Sequence, residues 1–422
     1  MNKIQNIISR QIFDSRGNPT VETEVITNTG FSGRAAVPSG ASTGAHEAYE
    51  LRDNNIGYHG RSVIKAVNNV NSEIFDSITG FDVSDQVKID ETLIKIDGSK
   101  NKSRLGANSI LSTSLSCAIA ASNANHVPLY KYIGGTKKYK MPTPMLNIIN
   151  GGSHANNNLT FQEFMIIPVN NKTFSESIRK SSEVFHNLKI ILNKKNLSTS
   201  VGDEGGFSPN LESEEEALKL ICEAIKKSNY KLKKDFYIGL DIAASEFYNK
   251  GKYKLISEKI SFSPDQFIKY LNNLVKKYPI VSLEDPFAED DWNSWSKLVD
   301  VIGDDIQIVG DDLFTTNLER LKKGIKNKSA NAILIKLNQI GTLSETLECI
   351  EYAVANNFEV IISHRSGETE DTFIADLAVG TNAGQIKTGS MSRSERIAKY
   401  NQLLRIEESI DAKNTMKKNK YY

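Results

Sequence analysis

The sequence predicts an α/β protein built on a (β/α)8-type barrel, preceded by a smaller α+β unit. Two observations carry the barrel. From about residue 217 to the end, short runs rich in Ile, Val and Leu alternate with amphipathic stretches. Buried parallel strands and their crossover helices read this way. Six apolar runs also end in a polar residue: Asp241 after FYIGL, Glu284 after PIVSL, Asp311 after IQIVG, Lys336 after AILI, His364 after VIIS and Lys387 after GQI. From Glu284 onward these residues stand 23 to 28 positions apart, one strand plus one crossover helix. In such a barrel the carboxyl ends of the strands meet at one mouth, where active sites sit. Three carboxylates, two lysines and a histidine should therefore converge on one pocket.

The first forty residues read as a β-meander. IQNIISRQIF is followed by the turn-former DSRGNPT, then by VETEVITN with period-two alternation, then by FSGRAAVP. Helical patterns follow in HEAYELRD, SVIKAVNNVNSEIF, QVKIDETLIKI and NSILSTSLSCAIAASNAN. The charged segment GGTKKYKMPTP, with two prolines, is the linker, placing one domain at 1–134 and the catalytic one at 142–422. After it, MLNIINGG and EFMIIPV read as strands and FSESIRKSSEVFHNLKIILNKK as a helix. The tail DAKNTMKKNKYY is polar and reads as frayed.

A chain of 422 residues exceeds what one core usually supports, which favours two domains. Its net charge of +1, from 52 basic and 51 acidic residues, gives no field that would bind nucleic acid or a membrane surface. The start, MNKIQNIISRQIF, lacks a signal-peptide core, and no apolar run reaches the length of a membrane span. The expected location is the cytoplasm, with a cell-surface or secreted pool at most secondary. Cys117, Cys222 and Cys349 lie far apart in helical patterns and read as reduced, buried thiols.

Several loops carry candidate chemistry. SGASTG (39–44) has the glycines and hydroxyls of a mobile lid, though by itself it reads better as a plain surface connection. NGGSHANN places His154 directly after an apolar run, as a structural hydrogen-bonder or as a catalytic or phosphate-binding group. Glu163 in QEF precedes its strand, so barrel logic alone aims it away from the mouth. VGDEGGF wraps Glu204 in glycine, a backbone bent to aim a carboxyl group. Asp241, Glu284 and Asp311 offer oxygen ligands without cysteine or histidine, which points to Mg2+ or Mn2+ rather than zinc. Lys336 and Lys387 sit within apolar runs, where burial beside cations lowers a lysine pKa as a general base requires. SHRSGET offers Arg365 and Ser366 as a phosphate cradle beside His364.

At these residues the chain resembles the enolase (phosphopyruvate hydratase) family. DSRGNPTVE, VPSGASTG, NGGSHA, QEFM, VGDEGG, EDPFAEDDW, DDL, KLNQIGT, SHRSGETEDTFIADLAVG, GQIKTG and NQLLRIEE follow that family's motifs in order, across residues 4–408. GDDLF and GSMSRSERIAKYNQL are closer to its bacterial branch, and the tail departs from the longer bacterial ends. The resemblance implies an α+β capping domain and a barrel of ββαα(βα)6 order, whose antiparallel second strand would bring Glu163 to the mouth. It implies reversible dehydration of 2-phosphoglycerate to phosphoenolpyruvate, as in glycolysis and gluconeogenesis, with two Mg2+ per site. Asp241, Glu284 and Asp311 would hold the first ion, and Ser42 would complete a second site together with substrate phosphate. Lys336 would be the base and Glu204 the acid working with Glu163. Lys387 would contact the substrate carboxylate, Arg365 and Ser366 its phosphate, and Gln162, His154 and His364 would stand beside it. A homodimer, or an octamer, is implied as well. The rival readings are another dehydratase or racemase of the superfamily, and a surface or scaffold role beside catalysis. The phosphate set argues against the first; intact Lys336 and Glu204 argue against a purely non-catalytic second.

Overall fold

The computed structural model describes residues 1–422 except 41–43, 55–56, 136–137 and 411–415. The meander forms as expected. β1 (Ile4–Phe13), β2 (Pro19–Thr27) and β3 (Ser32–Ala36) pair antiparallel in that order. Helix Ala107–Ala124 lies against β2 and β3. The approach is close enough that a Cβ on Gly33 would stand 2.2 Å from the Ala120 nitrogen. Helices Ile64–Asn69, Phe75–Ile78 and Gln86–Asp97 complete this unit. Residues 46–53, expected to be helical, are irregular. Their backbone is used elsewhere: Ala48 donates to the Gln339 carbonyl, Tyr49 to that of Asn101, and Leu51 to Asn108 Oδ1, each within 3.1 Å. Long-range pairing has overridden a local helical pattern.

β4 (Thr143–Asn150), β5 (Glu163–Pro168) and β6 (Phe236–Asp241) open the barrel. A small meander of β7 (Tyr248–Asn249), β8 (Lys252–Leu255) and β9 (Ile260–Phe262) follows β6. β10 (Ile280–Glu284), β11 (Gln307–Gly310), β12 (Ala332–Ile335), β13 (Glu359–Ser363) and β14 (Gly384–Lys387) close it in the order β10-β11-β12-β13-β14-β4-β5-β6. β5 runs antiparallel to both neighbours; every other pair is parallel. Two helices, Phe174–Lys194 and Glu214–Lys227, follow β5, and one crossover helix follows each later barrel strand, with a short extra turn, Leu337–Ile340, after β12, so the order is ββαα(βα)6.

The crossover helices start where the sequence caps them. Thr173, Ser213, Ser263, Asp291, Asn317 and Thr342 each accept a hydrogen bond from a first-turn N–H, and Ser263 with Gln266 forms a capping box. Met145, Met165, Ile167, Val281, Val309, Leu334 and Ile361 fill the lumen, so the barrel is a packed core rather than a pore. The described part of the tail, 416–422, is not frayed. It seals the amino-terminal mouth: Lys417 N–H donates to the Met141 carbonyl at 3.0 Å, and Tyr422 Oη reaches Gln385 Oε1 at 3.1 Å. Buried Asn419 bonds Gln307 Oε1 at 3.3 Å, because the Gln307–Gln385 pair leaves polar valences there for the tail to satisfy. The three cysteines are free and buried.

Candidate active site

Strand register gathers the polar residues at one rim. Asp241 at the end of β6 is level with Glu284 on β10 and with Glu163 on β5. Because β5 is antiparallel, its first residue, Glu163, faces the same mouth as the last residues of its neighbours. Lys387 on β14 is level with Ser363 on β13, and His364 follows next in the chain.

Lys387 is the centre of this rim. Its Nζ lies 2.8 and 2.9 Å from the two Glu284 oxygens, 3.1 Å from Asp241 Oδ2 and 3.1 Å from Glu163 Oε1. Gln162 Nε2 donates to the same Asp241 oxygen at 3.2 Å. Lys336 Nζ pairs directly with Asp311 Oδ2, while Gln339 Nε2 donates to Asp311 Oδ1 at 2.9 Å. Burial works against both ammonium groups, yet the carboxylates outweigh it. Lys387 is held well above the usual lysine range by Asp241, Glu163 and Glu284, and Lys336 is raised by Asp311. The lowered Lys336 expected from sequence is thus not found here; its nearest partner is an anion. Burial raises Glu284 well above the carboxylate range, helped by Asp241.

A second constellation borders the first. Glu204 Oε1 stands 3.5 Å from His154 Nδ1 and 3.3 Å from His364 Nε2, and Asn147 donates to Glu204 Oε2 at 2.9 Å. His154 Nδ1 is also 3.7 Å from Glu163 Oε1. The two glutamates are driven apart in acidity. Burial and the Glu204 charge push Glu163 well up, whereas His154, His364 and Arg396 overcome burial and hold Glu204 well down. Burial pushes His364 well below the usual histidine range, against the opposing pull of Glu204. A proton shared by this pair therefore resides on Glu163. Such divergence between neighbouring carboxyl groups marks an acid/base site.

Arg365 is buried and bonded through Nη1 and Nη2 to Glu47, at 3.0 and 3.2 Å, with Asn338 Oδ1 at 3.2 Å from Nη1. Gly40, His154, Gln162, Glu163, Glu204, Asp241, Lys336, Ser363, His364, Arg365, Ser366 and Lys387 enclose one cavity of about 20 Å³. Glu284 and Asp311 stand just behind it, reached through Lys387 and Lys336. Ser42 lies outside the described residues. Much larger cavities, of about 570 and 590 Å³, lie beside Arg34 and Asp371 and at the tail-sealed end, away from these groups. Sequence reasoning missed Asn147, Gln339, Glu47, Asp285 and Arg396. Asp285 holds a left-handed φ of 41°, and its carboxylate accepts the Asp311 and Asp312 N–H groups at 2.9 and 2.8 Å. A conformation this costly in a non-glycine residue persists because the surrounding bonds fix it, and here it fixes the Asp311 turn.

Among the described residues, the sets of three ligating side chains within 4.8 Å of one another are His154–Glu163–Glu204 and Asp285–Asp311–Asp312. Asp241, Glu284 and Asp311 do not form such a set; ammonium groups stand among their oxygens. Around the mouth, Glu163, Asp241, Glu284 and Asp311 nonetheless gather four carboxyl groups about the two ammonium groups of Lys336 and Lys387, and burial with mutual repulsion pushes Glu163 and Glu284 up. A buried, all-oxygen cluster short of positive charge fits a hard divalent cation such as Mg2+.

The fold and this rim define an α/β barrel with buried carboxyl, ammonium and imidazole groups gathered at the carboxyl ends of its strands. Residues 4–133 match the family model described as the enolase N-terminal domain, and residues 138–421 that of the enolase C-terminal TIM barrel domain. The chain belongs to the enolase family, and so to Mg2+-dependent lyases acting on small molecules. Among the described residues, no helix is long and apolar enough to cross a membrane.

Proposed function

We propose that the chain reversibly dehydrates 2-phosphoglycerate to phosphoenolpyruvate. The observation that carries this is the convergence on one small cavity of two lysines, a glutamate pair of opposed acidity, two histidines and the Arg365–Ser366 turn. The C2 proton of the substrate lies alpha to a carboxylate, so its removal concentrates negative charge on carboxylate oxygens. Lys387 faces those oxygens, acting where charge develops and hence favouring the transition state over the ground state. Lys336 takes the C2 proton as a neutral amine, for which its ammonium must first give up a proton and its pairing with Asp311. The Glu163–Glu204 pair supplies the proton with which the C3 hydroxyl departs: Glu163 holds it in the free site, and Glu204, the acid, delivers it after taking it from Glu163. Arg365 and Ser366 bind phosphate, and Gln162, His154 and His364 line the departing side.

Asp241, Glu284 and Asp311 would hold the first Mg2+, and Ser42 with substrate phosphate the second. Bound ions would supply positive charge to the substrate carboxylate, as one or two Mg2+ do in enolase-superfamily sites that use a lysine or histidine base. Division of the chain at 134–142, a homodimeric or octameric assembly and a cytoplasmic role in glycolysis and gluconeogenesis belong to the same proposal. The phosphate-binding turn favours this reaction over another dehydration or a racemisation in the superfamily. Ultraviolet detection of phosphoenolpyruvate formed from 2-phosphoglycerate tests it, with loss on chelation and recovery with Mg2+ expected. A purified protein inert toward 2-phosphoglycerate at saturating Mg2+ refutes the assignment.

A further inference from the structure

One guanidinium outside the expected set reaches the middle of the site. Arg396 stands in the first turn of helix Ser394–Ser409 and has no exposed surface. Its Nη1 lies 2.7 Å from His364 Nδ1 and 2.6 Å from the Arg365 carbonyl oxygen. Its Nη2 donates to the carbonyls of Ser366 at 2.7 Å and Asp203 at 3.1 Å. The side chain passes through a gap left by Gly389, whose φ is +85°. A Cβ there would stand 2.7 Å from Arg396 Cδ and 2.9 Å from the Glu204 carbonyl oxygen.

A guanidinium only donates, so the His364 nitrogen beside it must accept. A flipped ring would press a ring carbon against Nη1 at the same 2.7 Å, inside van der Waals contact, so the orientation is determined. An imidazolium, or a neutral ring protonated on Nδ1, would set N–H against N–H. The remaining form carries its proton on Nε2. That nitrogen is buried, has no hydrogen-bond partner, and points toward Glu204 Oε1 at 3.3 Å. We propose that Arg396 is a positioning residue of the reaction. It fixes His364 as the Nε2-protonated neutral tautomer and ties the Glu204 turn to the Arg365–Ser366 turn.

A buried arginine that merely satisfied three loop carbonyls would leave the imidazole free to choose its tautomer. The two cases separate by spectroscopy on the full-length protein, with no dependence on the proposed reaction. The chain has six histidines, so ¹⁵N-histidine labelling with His364→Gln as the assignment control isolates one ring. A bare Nδ1 and a protonated Nε2 are expected near neutral pH; a protonated Nδ1 overturns the proposal without any variant. Arg396→Met keeps the apolar stem and removes every donor. It should abolish the tautomer preference and lower kcat for phosphoenolpyruvate formation by about 10²-fold, the low end for one acid/base contact. KM should change far less. Arg396→Lys, which restores a donor, should recover part of both. If Arg396→Met loses rate while His364 keeps its Nε2 proton, or if neither changes, the residue is scaffolding and the proposal falls. If Arg396→Met does not fold, the wild-type tautomer and the lysine variant decide. If wild type proves inert toward 2-phosphoglycerate, the ¹⁵N measurements still decide the tautomer independently.

Discussion

Replacing Lys336 by Met tests the ion-pair geometry and the proposed base together. The substitution keeps side-chain length and removes the ammonium. Lys336 and Asp311 side chains are only 13% and 9% exposed, and the other hydrogen bond to the Asp311 carboxylate comes from the neutral Gln339 amide. The variant thus strands a carboxylate in a site already short of positive charge. Breaking a buried pair by removing one partner costs about 3–5 kcal/mol. Urea unfolding in chelator should show a loss of that size. Saturating Mg2+ should shrink the gap between variant and wild type, because a divalent ion relieves the same excess of negative charge. Loss of the base should also remove exchange of the C2 proton with D2O and lower turnover by about 10²–10⁴-fold. The two readouts are separable, since exchange is measured on protein kept folded by Mg2+. A variant that still exchanges the C2 proton at the wild-type rate would falsify the assignment of the base. A metal-free stability within about 1 kcal/mol of wild type would show that Asp311 does not depend on this ammonium, against the buried-pair expectation.

Three further perturbations follow from the same geometry. Glu204→Gln should slow dehydration while C2 exchange continues, because proton abstraction precedes loss of the hydroxyl; isotope exchange abolished as completely as dehydration would reverse the roles of Glu204 and Lys336. Gly389→Ala should destabilise by about 2–5 kcal/mol, combining left-handed strain with overpacking against Arg396 and the Glu204 carbonyl, and thermal or urea unfolding that matches wild type would refute the gap argument. Burial pushes the Asp376 carboxyl from 3.8 up to about 6, so between those values the folded chain keeps a proton that the unfolded chain releases. Stability should therefore fall as pH rises from about 4 to 6, by about 3 kcal/mol, and Asp376→Asn should flatten that part of the profile; parallel urea-midpoint curves for the two proteins would contradict it.

The legible part of this molecule is the part whose physics is local. A buried parallel strand is a continuous apolar run, and a polar residue ending it must either pair or do chemistry. Asp241, Glu284, Asp311, Lys336, His364 and Lys387 therefore announced the rim. Strand direction is not local. EFMIIP has the same pattern whichever way it runs, so the run alone could not place Glu163 at the mouth; the family resemblance did. Acidity is not local either: spacing put Lys336 near other cations, but the oxygen it meets first belongs to Asp311, and the sign of its shift reversed. The 46–53 segment carries a helical pattern that yields to partners on the barrel and on helix Ala107–Ala124. The tail, polar to the eye, finds at Gln307 and Gln385 the only kind of surface a polar segment can seal. Arg396 is the hardest case, since SERIAKYNQL reads as an ordinary charged helix and the imidazole it meets lies 32 positions away. What could have flagged it is the glycine at 389. A glycine two residues past Lys387, with an arginine seven residues further on, leaves room for a guanidinium to cross beneath the site. Because a guanidinium can only donate, whatever imidazole it reaches has its tautomer chosen for it.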